Sequence, residues 1–218
     1  MIGIEAVVFD LDGVLLDSEH VWDEVREGLV RERGGRWHEK AQAEMMGMSS
    51  TEWSRYLHEA IGLADEPEEI NAEVVRRMRA RYAERLPLIE GAPESVQRLA
   101  GAFRLGLASS SNRPLIDAVL AAAGLAAFFD VTVSSEEVRR GKPAPDFFLE
   151  AAARLGAEPE ECAAIEDSAN GIRAAHAAGM HVVAIPNRRY PPPEDALALA
   201  DIVLGSLFEL SPATIARK

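Results

Sequence analysis

Cysteine, long apolar runs and positive charge are all scarce in this 218-residue chain. The single cysteine, Cys162, excludes an internal disulfide and suits a reducing compartment. The longest apolar run, residues 118–129, has 12 residues, whereas a membrane-spanning helix needs about 20. No basic segment precedes an apolar stretch at the start. We therefore expect no signal peptide, no membrane partner and a cytoplasmic location.

Negative charge outweighs positive charge, since 36 Asp and Glu against 23 Lys and Arg give a formal net charge of −13. A surface of this sign repels nucleic acid, so we expect no nucleic-acid partner. Lysine is the rarest cation, with only Lys40, Lys142 and Lys218 in the chain. Lys142 stands between Gly141 and Pro143 rather than on a polar helix face. An ammonium is a compact point charge that arginine does not replace, which makes Lys142 a candidate site residue.

The most informative stretch is an apolar run, residues 6–9, that ends in Asp10, Asp12 and Gly13. Alternate side chains of a strand point the same way, so the two carboxylates are expected to lie close together. Such a pair is costly unless a proton or a cation lies between the charges, and Mg²⁺ with oxygen ligands is the usual cation. The stretch predicts a nucleophile or a metal-ligand pair, although two solvated aspartates at a strand end would give the same pattern.

The rest of the chain divides into a helical part and an alternating part. Residues 18–86 have apolar positions at helical spacing and no convincing strand. From residue 92 onward, short apolar strands alternate with helices, which is typical of a parallel sheet with both faces covered. We predict an α/β fold with a discontinuous three-layer α/β/α core, residues 1–17 and 87–218. A helical cap domain, residues 18–86, is inserted after the first strand.

Polar side chains follow several of the predicted strands. Ser109, with Ser110 beside it, follows the second strand, Lys142 lies beyond the third, and Glu166 and Asp167 follow the fourth. Each has an ordinary explanation when taken alone: a helix cap, a loop lysine, and acids at the start of a helix. The carboxyl ends of parallel strands meet at one edge of the sheet, however. We therefore predict that these side chains converge on the two aspartates of the first strand.

Four motifs, in this order along the chain, resemble those of the haloacid dehalogenase-like (HAD) superfamily. The motifs are residues 10–14, Ser109, residues 141–143 and residues 166–168. The helical insert is similar to the small α-helical cap of that family. Residues 143–146 and 170–180 resemble the β-phosphoglucomutase and sugar-phosphatase (CbbY-like) branch. The resemblance covers nearly the whole chain and implies a Rossmann-like core.

The resemblance also implies a Mg²⁺-dependent phosphatase that hydrolyses a small organic phosphomonoester, such as a sugar phosphate. Asp10 would be the nucleophile that forms an aspartyl-phosphate, and Asp12 would be the general acid and base. Ser109, Ser110 and Lys142 would bind the phosphoryl oxygens. The implied metal ligands are the Asp10 carboxylate, the Asp12 main-chain carbonyl and Asp167, with Glu166 either close by or a further ligand.

A phosphomutase with the same nucleophile is the alternative function. Mutases of this branch carry a cap histidine and a cap arginine that holds a second phosphate, and Trp22 and Ser50 stand at those positions here. The two differences favour hydrolysis, although Arg55 or another cap arginine would supply the missing charge. Trp22, Met48 and Ser49 are candidate specificity residues, for which packing within the cap is the other explanation.

Four other functions share part of this chemistry. Dehalogenases of the family lack the second aspartate, so Asp12 argues against carbon–halogen cleavage. Lys40 is the one lysine of the predicted cap, and its context does not match that of the Schiff-base lysine in phosphonate-cleaving members. A phospho-accepting receiver or a sugar-phosphate binding module would bind without turnover, but receivers have no helical insert. We expect a monomer whose partner is a small-molecule phosphate ester.

Overall fold

The computed structural model describes residues 3–216, which contain six short strands. They are β1 (Ala6–Phe9), β2 (Arg104–Ala108), β3 (Val131–Val133), β4 (Cys162–Glu166), β5 (His181–Ala184) and β6 (Ile202–Val203). All neighbouring strands pair in parallel, in the order β3-β2-β1-β4-β5-β6. The first strand in the sequence therefore lies at the centre of the sheet, between β2 and β4.

Ten α-helices connect or flank these strands within the described residues. They are α1 (Glu19–Glu32), α2 (Ala41–Met45), α3 (Ser50–Glu59), α4 (Pro67–Glu84), α5 (Ala92–Ala100), α6 (Arg113–Ala122), α7 (Asp146–Leu155), α8 (Ala169–Ala177), α9 (Glu194–Leu197) and α10 (Pro212–Ile215). The first four follow one another without an intervening strand, as the helical spacing of that part of the sequence predicts.

Strand β1 shows why both faces of the sheet must be covered. Its four side chains are fully buried, and they alternate between two apolar clusters. Val7 and Phe9 join the cluster that includes residues of α1 and α3 to α6, whereas Ala6 and Val8 join the cluster built on α7 and α8. A parallel sheet enclosed by helices on both sides confirms the predicted α/β fold of three layers.

The helices α1 to α4 leave and rejoin the sheet region through two chain segments that lie side by side. Leu16 and Leu88 form an antiparallel bridge, and the amide of Asp17 donates to the carbonyl of Pro87 at 2.8 Å. The predicted boundaries of a core and a cap domain near residues 17 and 87 stay a prediction. The outermost residues of that predicted core, 1–2 and 217–218, lie outside the described part of the chain.

None of the helices in residues 3–216 combines the length and the apolar character that crossing a bilayer requires.

The register of the sheet fixes where the polar strand ends meet. Phe9 pairs with Leu107 of β2 and with Ile165 of β4, so the residues that follow these three lie at the same level. Asp10 and Glu166 are consequently neighbours at the carboxyl edge of the sheet, which is the edge where α/β proteins bind ligands.

Candidate active site

The side chain of Asp10 lies at the end of β1 and is held by Lys142. The Lys142 Nζ donates to Asp10 Oδ1 at 2.7 Å and to Glu166 Oε1 at 2.6 Å, and all three side chains are buried. Burial lowers the pKa of Lys142, but the charges of Asp10 and Glu166 outweigh it and raise that pKa above its usual value. The ammonium therefore stays charged between the two carboxylates.

A third carboxylate, that of Asp167, completes an acidic cluster. One oxygen from each of Asp10, Glu166 and Asp167 lies within 4.8 Å of the others. Burial raises the pKa of Asp10 to about 8, although Lys142 opposes the shift. Burial and the neighbouring Glu166 and Asp10 also raise the pKa of Asp167 well above its usual range. Three buried carboxylates against one ammonium leave an excess of negative charge, and such an oxygen-rich site fits a hard divalent cation.

Two glycines allow the backbone to approach this cluster. A Cβ at Gly13, whose φ is +84°, would lie 1.9 Å from an oxygen of Asp167. A Cβ at Gly171 would lie 1.9 Å from the carboxyl carbon of Glu166. The turn after β1 and the first turn of α8 therefore need residues without a side chain. The remaining oxygen of Glu166, Oε2, accepts from the amides of Asp167 and Ser168 at 3.0 and 3.3 Å.

The side chain of Asp12 turns away from the acidic cluster, and its two oxygens accept four hydrogen bonds. Oδ1 accepts from Ser18 Oγ at 2.5 Å and from Trp22 Nε1 at 2.9 Å. Oδ2 accepts from Ser111 Oγ at 2.7 Å and from Ser109 Oγ at the longer distance of 3.4 Å. The two aspartates thus have different surroundings, and the main-chain carbonyl of Asp12 stays only a predicted metal ligand.

The structure gives the predicted phosphate-binding serines other contacts. Ser109 is fully buried, and its Oγ accepts from the amide of Ser111 at 3.0 Å while it faces Asp12. Ser110 lines the cavity beside Asp10, and its Oγ donates to the carbonyl of Gly47 at 3.0 Å. In this arrangement Ser110 joins the sheet edge to the loop before α3.

The three predicted specificity residues also differ in their placement. Trp22 and Met48 line the cavity that opens beside Asp10. Ser49 instead caps the N-terminus of α3: its Oγ donates to Glu52 Oε2 at 2.7 Å and accepts from the Glu52 amide at 3.4 Å. A Ser followed three residues later by Glu is the pattern of a capping box, so the sequence contains the signal for this structural role.

The cavity itself is small, about 50 Å³, whereas small-molecule sites typically have about 300 Å³ or more. Its walls come from the sheet edge on one side and from α1, α2 and the loop before α3 on the other. Hydrogen bonds connect the two sides, from Ser110 to Gly47 and from Asn170 Nδ2 to the carbonyl of Met46 at 3.0 Å. These contacts hold the helical side against the sheet edge and leave little free space beside Asp10.

Sequence reasoning missed three polar residues on the helical wall, namely Glu19, Arg26 and Gln42. All three are buried, and Gln42 links the other two by hydrogen bonds. The spacing of Glu19, Trp22 and Arg26 places them on one face of a helix, which is a signal that the sequence contained. Gln42 has no comparable signal, because it reaches the wall from another helix.

The buried charges of this wall have altered proton affinities. Burial raises the pKa of Glu19 to about 7, and the charge of Asp12 raises it further, while Gln42 and Arg26 oppose the shift. Burial lowers the pKa of Arg26 to about 10, although Glu19 and Asp12 raise it. Both charged groups therefore carry a desolvation cost that the fold has to offset.

Comparison with known proteins shows which class this fold and site define. The model of the haloacid dehalogenase-like hydrolase family matches residues 4–179. The chain belongs to this family, and it is a phosphoric monoester hydrolase. The predicted resemblance, including that to the CbbY-like branch, is confirmed.

Individual relatives are similar over nearly the whole chain. Identity is 31% over 227 residues to hexitol phosphatase B of Escherichia coli K12, which covers 95% of both chains. Identity is 32% over 216 residues to the bifunctional riboflavin kinase/FMN phosphatase of Arabidopsis thaliana, of which the chain spans only 54%. The solved structure of CbbY from Rhodobacter sphaeroides in complex with phosphate has a TM-score of 0.84 and 28% identity, and the match covers 95% of this chain and 96% of that one.

The bond from Trp22 to Asp12 is testable with the substitution Trp22→Phe. Phenylalanine keeps a ring in the cavity wall but removes one of the four donors, so Asp12 is held less firmly. We expect kcat for p-nitrophenyl phosphate to fall about tenfold, in line with about 1.5 kcal/mol for a hydrogen bond to a charged group. Trp37→Phe is the control, because Trp37 packs on the same apolar cluster but does not line the cavity. Equal losses of kcat in Trp22→Phe and Trp37→Phe would contradict a specific role for the hydrogen bond from Trp22 to Asp12.

The buried charge of Glu19 is testable through the pH dependence of stability. The ordinary pKa of a glutamate is 4.5, whereas the pKa of Glu19 in the folded chain is about 7. The folded state therefore holds the proton of Glu19 more tightly than the unfolded state does. The cost of the buried charge is absent below pH 4.5, builds up between the two values and is complete above pH 7. We expect Glu19→Gln to raise Tm relative to the native chain more at pH 8 than at pH 5. The control is Glu24→Gln at an exposed position of the same helix, and a pH-independent difference for Glu19→Gln would refute this account.

Proposed function

We propose that the chain hydrolyses a small organic phosphomonoester, a sugar phosphate or a similar metabolite, with Asp10 as nucleophile and Mg²⁺ as cofactor. The observation that carries this proposal is the different surroundings of the two aspartates. Asp10 lies in a buried acidic cluster with a lysine, whereas Asp12 lies outside the cluster among four donors. These surroundings support attack on phosphorus by Asp10 and proton transfer by Asp12.

In the first step, an oxygen of Asp10 attacks phosphorus while the bond to the ester oxygen breaks. The hydrogen bond from Lys142 is made to Oδ1 of Asp10, and no donor of residues 3–216 bonds to its Oδ2. In the second step, water attacks the phosphorus of the aspartyl-phosphate, and phosphate leaves. Asp12 carries a proton to the leaving alkoxide in the first step and takes one from water in the second.

Lys142 is proposed to bind the phosphoryl group as well as the carboxylates. Two of its three hydrogens are used by Asp10 and Glu166, and the third faces the carbonyl of Ala108 at 3.4 Å, which is long for a hydrogen bond. That third donor is available to a phosphoryl oxygen. Ser109 and Ser110 are proposed to contribute further donors once Ser110 releases Gly47.

The residues proposed to hold Mg²⁺ are Asp10, Asp167, Glu166 and the main-chain carbonyl of Asp12. A bound Mg²⁺ would offset the negative charge of Asp10 toward an incoming phosphate. The helical part, residues 18–86, is proposed to act as a cap over the core, residues 1–17 and 87–218, and to exclude water when it closes. The names of relatives such as hexitol phosphatase B and fructose-1-phosphate phosphatase YqaB of Escherichia coli support a phosphorylated sugar or polyol as substrate.

A phosphomutase activity is the second candidate, because one cap arginine does line the cavity. The residue is Arg26, whereas Arg55 is exposed and does not line it. Ser50 stands where the mutases have their phosphate-holding arginine, and its Oγ lies 2.9 Å from that of Ser135. A structural neighbour named β-phosphoglucomutase, from Clostridium difficile, has a TM-score of 0.84 at 25% identity and covers 97% of this chain. Conversion of β-glucose 1-phosphate to glucose 6-phosphate, with bisphosphate primer, distinguishes this activity from hydrolysis.

The nucleophile is tested by Asp10→Asn. The amide oxygen can still accept from Lys142, so we expect the fold to persist, but the neutral amide cannot form the acyl-phosphate. Phosphate release from p-nitrophenyl phosphate is therefore expected to become undetectable. Asp17→Asn, at an exposed position of the same segment, is expected to retain native activity. Near-native turnover by Asp10→Asn would rule out the assignment.

The metal is tested by thermal unfolding, which does not depend on activity. A ligand at 100 times its Kd stabilises the folded chain by about 2.7 kcal/mol, which corresponds to an increase in Tm of about 5–10 °C for a chain of this size. We expect MgCl₂ to raise Tm by about this amount, EDTA to reverse it, and Asp167→Asn to lose most of it. The exposed Asp17→Asn is the control. Absence of any Mg²⁺-dependent shift in the native chain would exclude a resident cation at this cluster.

A further inference from the structure

The cavity beside Asp10 has a second polar wall that the proposed chemistry leaves unused. Glu19 and Arg26 come from α1 and Gln42 comes from α2, and all three line the cavity. Their exposed fractions are only 8%, 5% and 2%, respectively. Buried polar side chains are costly unless they are paired, so such a wall needs an explanation.

Gln42 orders the wall because its amide connects the other two side chains. Its Oε1 accepts from Arg26 Nη1 at 3.0 Å, and its Nε2 donates to Glu19 Oε2 at 2.9 Å. The amide cannot be turned around, since a flipped Gln42 would present a donor to the guanidinium and an acceptor to the carboxylate. The orientation of both charged groups is thus fixed by one uncharged residue.

Arg26 has less pairing than a buried arginine usually needs. No carboxylate oxygen of residues 3–216 lies within 4.0 Å of its guanidinium nitrogens, and its buried Nε has no hydrogen-bond partner. The guanidinium instead packs against Trp22 and Trp53, at 4.4 and 4.8 Å from the ring centroids. These contacts hold the plane of the group but leave donors unused. A buried donor without a partner destabilises the folded chain, and a ligand group that accepted from the guanidinium would offset that cost.

We propose that Arg26 and Glu19, oriented by Gln42, determine specificity by binding hydroxyl groups of the substrate's leaving group; this inference rests on the proposed phosphatase function. A hydroxyl group both donates and accepts, and the wall offers the matching donor in Arg26 and the matching acceptor in Glu19. A second phosphate or a carboxylate would lie close to the charge of Glu19, which disfavours it. The preferred substrate class is therefore a monophosphate of a polyhydroxylated compound.

The test compares two substrates in each variant. One substrate is p-nitrophenyl phosphate, whose leaving group carries no hydroxyl group besides the esterified oxygen. The other is the best substrate of a panel of aldose, ketose and polyol monophosphates. We expect Arg26→Met to lower kcat/KM for the polyhydroxylated substrate about 10- to 100-fold and to change that for p-nitrophenyl phosphate less than about threefold. Arg81→Met, at an exposed arginine of the helical part, is the matched control and should change neither value.

A second variant keeps the proposal testable if Arg26→Met does not fold. Glu19→Gln preserves the size of the side chain and removes the charge, and we expect a loss in the same direction, restricted to the polyhydroxylated substrate. Equal losses for both substrates in a folded variant would show that the wall only supports the fold. A loss restricted to sugar bisphosphates would show that Arg26 binds a second anion. Either result overturns the inference.

The proposed phosphatase function and the proposed specificity residues can be disproved independently. If the native chain releases no phosphate from p-nitrophenyl phosphate in the presence of MgCl₂, the proposed function is wrong. If it hydrolyses p-nitrophenyl phosphate but Arg26→Met and Glu19→Gln leave the ratio of the two kcat/KM values unchanged, only the specificity wall is wrong.

Discussion

The buried ammonium of Lys142 contacts two carboxylates at once, and the charge balance around it governs the rest of the site. Asp10, Glu166 and Asp167 bring three potential negative charges into a space where the protein supplies one positive charge. Burial, and secondly the neighbouring carboxylates, raise the pKa of Asp10 and of Asp167, so that without a cation protonation relieves the excess of negative charge. The same excess makes the cluster suitable for a divalent cation. The central position of β1, next to β4, brings these groups together.

The helical part of the chain completes the site, because it contributes a donor to Asp12 and one wall of the cavity. Trp22 donates to Asp12, so the residue proposed for proton transfer is held from the helical side. Gly47 and Met46 accept hydrogen bonds from the sheet side, and the cavity between the two is small. If the helical part acts as the proposed cap, opening would break these contacts and closing would restore them, so the position of Asp12 would be coupled to closure. The same surface carries Arg26, which is proposed to contact the leaving group, whereas Lys142 on the sheet side is proposed to bind the phosphoryl group.

Much of the sheet side of the site could be predicted, because its information is local. An apolar strand followed by Asp10 and Asp12, and a lysine set between Gly141 and Pro143, stand out from any surrounding pattern. Parallel strands place their carboxyl ends at one edge, so the adjacent strands β1 and β4 bring Asp10 and Asp167 together, whereas Lys142 reaches them from the loop after β3. Local patterns were less informative on the helical side. Ser49 was predicted at the cavity, but it lies in a capping box with Glu52.

The sequence by itself determined the α/β alternation, the helical insertion and the identity of the acidic cluster, because short-range periodicity and strand ends encode them. The spacing of Glu19, Trp22 and Arg26 puts them on one face of α1, but only the tertiary structure decided that this face lines the cavity. The position of the Arg26 guanidinium follows from its packing against Trp22 and Trp53 and from its hydrogen bond to Gln42 of α2. Tertiary structure also gave Asp12 surroundings that differ from those of Asp10, since its hydroxyl donors include Ser18 and Ser111, which are far apart in the chain. Contacts between distant segments depend on packing, and no local pattern records them.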